Sequence, residues 1–101
     1  MELRPGLRIA DAALTKFSRQ HGIARLALFG SVLRADFDEH SDVDILVEFE
    51  PGHTPGLFAL SGMERELDNL VGREVDLRTY HDLSRYFRDD VVAHSRVVYA
   101  A

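Results

Sequence analysis

Three aspartates and a Gly-Ser pair are the residues of this chain whose types and spacing could do chemistry. Asp42 and Asp44 stand two apart at the start of an otherwise apolar stretch, DVDILVEF. In a strand that spacing puts both side chains on one face, about 7 Å apart along the chain. An ionised carboxylate without a partner loses several kcal/mol of hydration in such a setting. Two parallel carboxylates can instead share one or two hard divalent cations. Asp76, in the alternating stretch REVDLR, completes a three-carboxylate cluster if its strand lies beside that of Asp42 and Asp44. Mg²⁺ prefers such oxygen ligands and keeps coordination places for water and phosphate. Upstream, Gly30 lets the backbone approach a phosphate closely, and the amides of a following helical turn, with the Ser31 hydroxyl, would donate to it. Arg34 on that turn would add a fixed positive charge. Carboxylates, metal, amides and arginine together describe a site for phosphoryl transfer.

Several elements must position these groups. Leu7, Ala10, Leu14 and Phe17 recur at helical spacing between Pro5 and Gly22, which predicts a first helix from Leu7. ARLALF, residues 24–29, is a short apolar run ending at Gly30 and reads as a buried strand. VLRADFDEHS holds at most a helical turn and a loop, and a second strand starts near Asp42 and ends before Pro51. PGHTPG, residues 51–56, reads as a loop of the kind that often lies over a site. Leu60, Met63, Leu67, Leu70 and Val71 then follow helical spacing up to Gly72, a glycine cap. REVDLR is the third strand, with Glu74, Asp76 and Arg78 on one face and Val75 and Leu77 on the other. Leu83, Phe87, Val91 and His94 share a helical face, and SRVVYA either ends that helix or forms a fourth strand. This order predicts an α/β (α+β) domain with a small, mostly buried sheet flanked by helices.

Composition narrows the functional classes. At 101 residues with 46% hydrophobic composition, the chain suits one compact domain over 1–101. No cysteine is present, which excludes thiolate metal sites, disulfides and a cysteine nucleophile. No apolar run approaches the roughly 20 residues that span a bilayer, and the first residues lack a signal-peptide core, so a cytoplasmic protein with no membrane attachment is expected. The net charge of −5 disfavours direct duplex DNA binding. The five histidines, at 21, 40, 53, 81 and 94, lack zinc-site spacing. Only His40, two residues before Asp42, stands near the candidate site.

Other features have ordinary readings. Asp36, Asp38 and Glu39 suit a solvated loop, although Asp36 could hydrogen-bond to the site. Asp89 and Asp90 cannot point one way on a helix and suit its surface. The apolar stripes Leu60–Val71 and Leu83–Val91 suit the core, and Tyr80, Tyr86 and Tyr99 read as packing residues.

Gly30-Ser31, ten residues, then Asp42-Val43-Asp44 and an apolar continuation resembles the nucleotidyltransferase superfamily related to DNA polymerase beta. Within it, the stretch LFGSVLRADFDEHSDVDILVEFEPG and the later EVDLRT look like the MntA-type minimal nucleotidyltransferases, antitoxin partners of HEPN ribonucleases. The resemblance covers roughly residues 7–99. It implies a small mixed sheet of polymerase-beta palm type, ATP as nucleotide donor, and two Mg²⁺ ions. It further implies AMP transfer to a tyrosine hydroxyl of a HEPN-type toxin. Carried onto this sequence, Asp42 and Asp44 match the paired metal ligands, Asp76 the third carboxylate, and Gly30 and Ser31 the phosphate-binding turn. Arg34 matches the basic residue after Gly-Ser, although Leu33-Arg34-Ala35 replaces the Ala-Arg-Gly of many relatives. The chain shows no added segment for an acceptor, which a partner would bring, and assembly with itself or with the toxin stays open. Two other readings stand beside this one: an acidic antitoxin that neutralises a ribonuclease by binding alone, and a transferase acting independently on a small molecule or RNA end.

Overall fold

A computed structural model describes residues 1–101. The chain opens with a small hairpin, β1 (Glu2–Arg4) and β2 (Leu7–Arg8), then runs through α1 (Asp11–Gln20), β3 (Ile23–Phe29) and β4 (Val43–Phe49). It continues with α2 (Leu57–Val71), β5 (Val75–Thr79), α3 (Arg88–His94) and β6 (Arg96–Ala100). Short 3₁₀ turns follow β3 at Gly30–Leu33 and β5 at Tyr80–Asp82. The main sheet has the order β5-β4-β3-β6, parallel between β4 and β5 and antiparallel elsewhere. It is therefore the small mixed sheet expected from the sequence. No helix is long and apolar enough to cross a membrane.

Strand alternation divides the two faces of this sheet. Leu26, Leu28, Val43, Ile45, Val47, Val75 and Leu77 are buried and pack with Leu14 and Phe17 of α1 and Met63, Leu67 and Val71 of α2. The intervening residues face the other way: Phe29 pairs with Asp44, Ala27 with Leu46, and Arg25 with Glu48. Along the parallel pair, Asp44 lies opposite Asp76 and Leu46 opposite Arg78. The hydrophobic drive thus seals one face and leaves the polar residues of the same strands on the second.

An edge strand ordinarily exposes a row of unpaired amides. In β5 two of these are taken by α2: the Val75 N–H donates to the Asp68 carboxylate at 2.6 Å, and the Leu77 N–H donates to Glu64 at 2.7 Å. Asp76 lies between the two capped amides, so the helix fixes the backbone that carries it. Removing a charged hydrogen-bond partner typically costs about 1.5–3 kcal/mol. Glu64→Ala is expected to lower unfolding stability by about 1–2 kcal/mol, the smaller value reflecting water access at the edge. Urea denaturation measures it, and a loss below about 0.5 kcal/mol would show that water replaces the carboxylate without penalty.

Several expectations change. Leu7 lies in the hairpin and α1 begins at Asp11, because Pro5 and Gly6, the latter at φ +83°, form the two-residue turn between β1 and β2. Proline then left-handed glycine is the pair a type II turn demands, so Pro5 marks a turn and no helix start. Leu83 and Phe87 precede α3, which starts at Arg88, and SRVVYA supplies β6. The loop at residues 51–56 follows the end of β4 away from Asp44. Glu50 N–H donates to the Gly22 carbonyl and His53 sits against Gly22, so this loop starts at the opposite end of the sheet, while its Thr54 lines a groove on the open face. Of the tyrosines only Tyr99 packs on the core; Tyr86 is 83% exposed, and the Tyr80 hydroxyl donates to Asp89.

Candidate functional site

β3 delivers Gly30 to the end of the sheet where β4 begins, and the chain turns sharply there. Gly30 has φ +70°, and a Cβ built on it would lie 2.5 Å from Asp44 Oδ2. The position therefore demands glycine twice, for its left-handed backbone and for the space that Asp44 occupies. Ser31 follows, its hydroxyl donating to the Asp42 carbonyl at 3.4 Å, and Val32 buries the turn. The Gly-Ser turn and the paired aspartates are thus in direct contact, although ten residues separate them.

Asp44 is half-buried beside Asp76, while Asp42 is exposed just before the strand. Burial pushes the Asp44 carboxyl above the ordinary aspartate range, and the charges of Asp76 and Asp42 push it further. The Ser31 main-chain amide and Arg78 act in the opposite direction. A half-buried carboxylate raised by two like neighbours marks excess negative charge on one face, the setting in which a cation is stabilising. All the candidate ligands are oxygens, so the residues fit a hard divalent ion. As they stand, no three acidic or histidine side chains converge closely enough to chelate one ion. Asp76 is occupied: Arg78 Nε donates to its Oδ1 at 3.0 Å and Arg78 Nη2 to its Oδ2 at 3.2 Å.

Arg34 stands at the end of the Gly-Ser turn, exposed, with its Nε donating to Asp36 Oδ1 at 3.2 Å. Asp36 thereby engages Arg34, and His40 lies exposed beside Glu39 at 3.6 Å. The loop carrying these residues is held by groups with no periodic signature. The Phe37 ring is flanked by two guanidinium groups, Arg4 at 4.4 Å and Arg73 at 4.8 Å from its centroid. Arg4 also donates to the carbonyls of Val32 and Arg34, and Arg73 to those of Asp38 and Ser41. Cation–π stacking and charged donors on the main chain thus tie the turn at Gly30–Leu33 to the residue preceding Asp42. Within the loop the His40 N–H and Ser41 hydroxyl donate to Asp38, holding its carboxyl below the usual range. Of the residues sequence reasoning passed over, Arg78 had a signal, the two-residue strand spacing from Asp76. Phe37, Arg4 and Arg73 had none.

On the same sheet face, a groove of about 620 Å³ extends from Ala27 and Leu46 toward Thr79, Tyr80 and Val92. Its near end, at Leu46, is two residues from Asp44 along β4, and its far end reaches Phe49 and Thr54; the aspartates themselves do not line it.

A turn built for close approach, paired carboxylates and an adjoining groove on a small mixed sheet define a class, and the whole-chain likeness agrees. Residues 10–98 match the nucleotidyltransferase domain family, and the chain belongs to that family of enzymes. More particularly, it is homologous to the protein adenylyltransferase MntA of Thermococcus cleftensis, 38% identical over 69 residues that cover 68% of each chain. Its fold is shared with a crystal structure of a toxin–antitoxin with AMP-PNP, at TM-score 0.71 and 22% identity over 89% of this chain and 73% of that one. It is shared also with a tri-AMPylated Shewanella oneidensis HEPN toxin in complex with MNT antitoxin, at TM-score 0.63 and 22% identity, covering 89% and 69% of the two chains.

Proposed function

We propose that this chain transfers AMP from ATP, with Mg²⁺, to a tyrosine hydroxyl of a HEPN-type toxin and so acts as the antitoxin of the pair. The observation that carries the reading is the register of Asp44 against Asp76, next to a Gly30-Ser31 turn that is itself packed on Asp44. Homology to a protein adenylyltransferase supports AMP as the transferred group. The fold shared with toxin–antitoxin complexes supports the toxin as acceptor.

In this reading Asp42, Asp44 and Asp76 would hold the divalent ions. Bound there, they would supply charge neutralisation of the triphosphate and a lowered pKa for the acceptor hydroxyl. Gly30 brings the main chain close to the phosphates, and the Ser31 hydroxyl turns from the Asp42 carbonyl to donate to a phosphate oxygen. Asp76 takes the proton from the acceptor hydroxyl. The acceptor oxygen bonds to the α-phosphorus as the bond from that phosphorus to the bridging oxygen breaks, and pyrophosphate leaves. The groove beside Leu46 gives the substrates room on the open face, and the toxin brings the acceptor to it.

The test is α-labelled ATP with Mg²⁺ and the HEPN partner. Label is expected on a tyrosine of the partner with the wild type and to vanish with Asp42→Ala combined with Asp44→Ala. A folded, metal-bound wild type that labels no partner overturns transfer. Full neutralisation of the toxin in cells by the double variant would instead establish antitoxin action by binding alone.

A further inference from the structure

Arg78 is the one cation whose guanidinium engages a candidate metal ligand through both oxygens. The pairing is set by the backbone, since residues two apart on a strand share a face. Of the other acids near Arg78, Glu64 accepts the Leu77 N–H through one oxygen, Asp82 accepts the Thr79 N–H and hydroxyl through one oxygen, and Asp44 feels the Arg78 charge. A divalent ion drawn to the same two oxygens competes with the guanidinium, because the two positive charges repel and each withdraws charge from the carboxylate. Arg78 is about half exposed, so exchange of one cation for the other requires no opening of the core. Arg78 lies opposite Leu46, which lines the groove, so once displaced its fork stands on the face where a substrate phosphate would arrive.

We propose that Arg78 is the resident counter-ion of Asp76, displaced when a divalent ion binds and then engaged with the phosphates of the nucleotide. The inference rests on the reading of Asp76 as a metal ligand. It makes Arg78 a residue with opposite effects on two ligands: it competes with the metal and assists the nucleotide. Planar, bidentate recognition suits guanidinium to both tasks, on carboxylate first and phosphate second.

The experiment is calorimetric titration of the wild type, Arg78→Ala and Arg78→Lys, first with Mn²⁺ alone and then with AMP-PNP at saturating Mg²⁺, without acceptor. Arg78→Ala is expected to bind Mn²⁺ about three- to fivefold more tightly, the worth of an exposed ion pair. It is expected to bind AMP-PNP several-fold more weakly, with Arg78→Lys between the two. Damage to the site would weaken both ligands and overturn the inference. So would Mn²⁺ affinity equal to that of the wild type, or an unchanged affinity for AMP-PNP. A wild type that binds no Mn²⁺ removes the metal site itself and the inference with it, an outcome distinct from equal binding by both proteins.

Discussion

Asp44→Asn is expected to abolish nucleotide transfer while leaving the metal-free protein folded and slightly more stable. Asparagine keeps the shape of aspartate and removes the charge that Asp42 and Asp76 oppose. Like charges directly opposite on neighbouring strands destabilise by a few tenths to about 1 kcal/mol, so a gain of a few degrees in Tm is expected for a domain of this size. The loss of activity is far larger. Metal-based charge stabilisation contributes several kcal/mol to a transition state, and each 1.36 kcal/mol is tenfold in rate, so the fall is about a thousandfold or more. The pH dependence has a definite sign. Because the folded chain raises the Asp44 carboxyl above its ordinary value of 3.8, the charged form is the less stable one. The wild type carries no such handicap below that value and acquires it as pH rises through the folded value. The advantage of Asp44→Asn is therefore expected to shrink on acidification, as thermal melts between pH 3.5 and 7 would record. Transfer within tenfold of wild type would remove Asp44 from the metal set. A variant less stable than wild type at neutral pH would mean that the carboxylate has a structural partner.

Gly30→Ala is expected to have the second largest effect, and it comes with an internal control. A non-glycine residue in the left-handed region costs roughly 1–2 kcal/mol. At Gly30 that cost is joined by the contact of the new Cβ with Asp44 Oδ2 at 2.5 Å, which forces the carboxylate or the turn to move. Displacements near 1 Å cost about a hundredfold in rate. Gly52 has φ +83° with nothing within 4 Å of its would-be Cβ, and it lies beyond the opposite end of β4. Gly52→Ala thus carries the backbone cost alone. Gly52→Ala is expected to lose about 1–2 kcal/mol, Gly30→Ala at least as much, and only Gly30→Ala to lose transfer activity by about a hundredfold. Equal activity of the two would show that the approach of Gly30 to Asp44 has no part in the reaction.

Period-two alternation made the strands legible, and with them the faces of Asp44, Asp76 and Arg78. The neighbourhood of Asp44 and Asp76 is a different matter. It depends on α2 returning the chain so that β5 lies parallel to β4, a tertiary outcome that no local pattern encodes. Leu7 has a spacing to Ala10 and Leu14 that suits a helix as well as it suits the hairpin that Pro5-Gly6 imposes, so periodicity does not separate the two. The β-branched run at 97–98 is too short for periodicity to assign, and pairing with β3 makes it a strand. The loop at 51–56 has the composition of a lid; the direction of β4 carries it away from the aspartates, and Thr54 alone of the loop lines the groove. The Arg4–Phe37–Arg73 stack joins three distant segments through ring and guanidinium faces, and contacts of that kind leave no trace in spacing.

The carboxylates with which α2 closes the outer side of β5 also decide how copies of this sheet could add to one another. Endless growth by strand addition needs two receptive borders, one to offer and one to receive. Here one border is shut by Asp68 and Glu64, so copies meeting side by side have only β6 to present. Two such borders joined face each other about a twofold axis and satisfy one another, which ends the assembly at a pair. The same helix that steadies Asp76 thereby withholds two of the amides through which a further strand would pair.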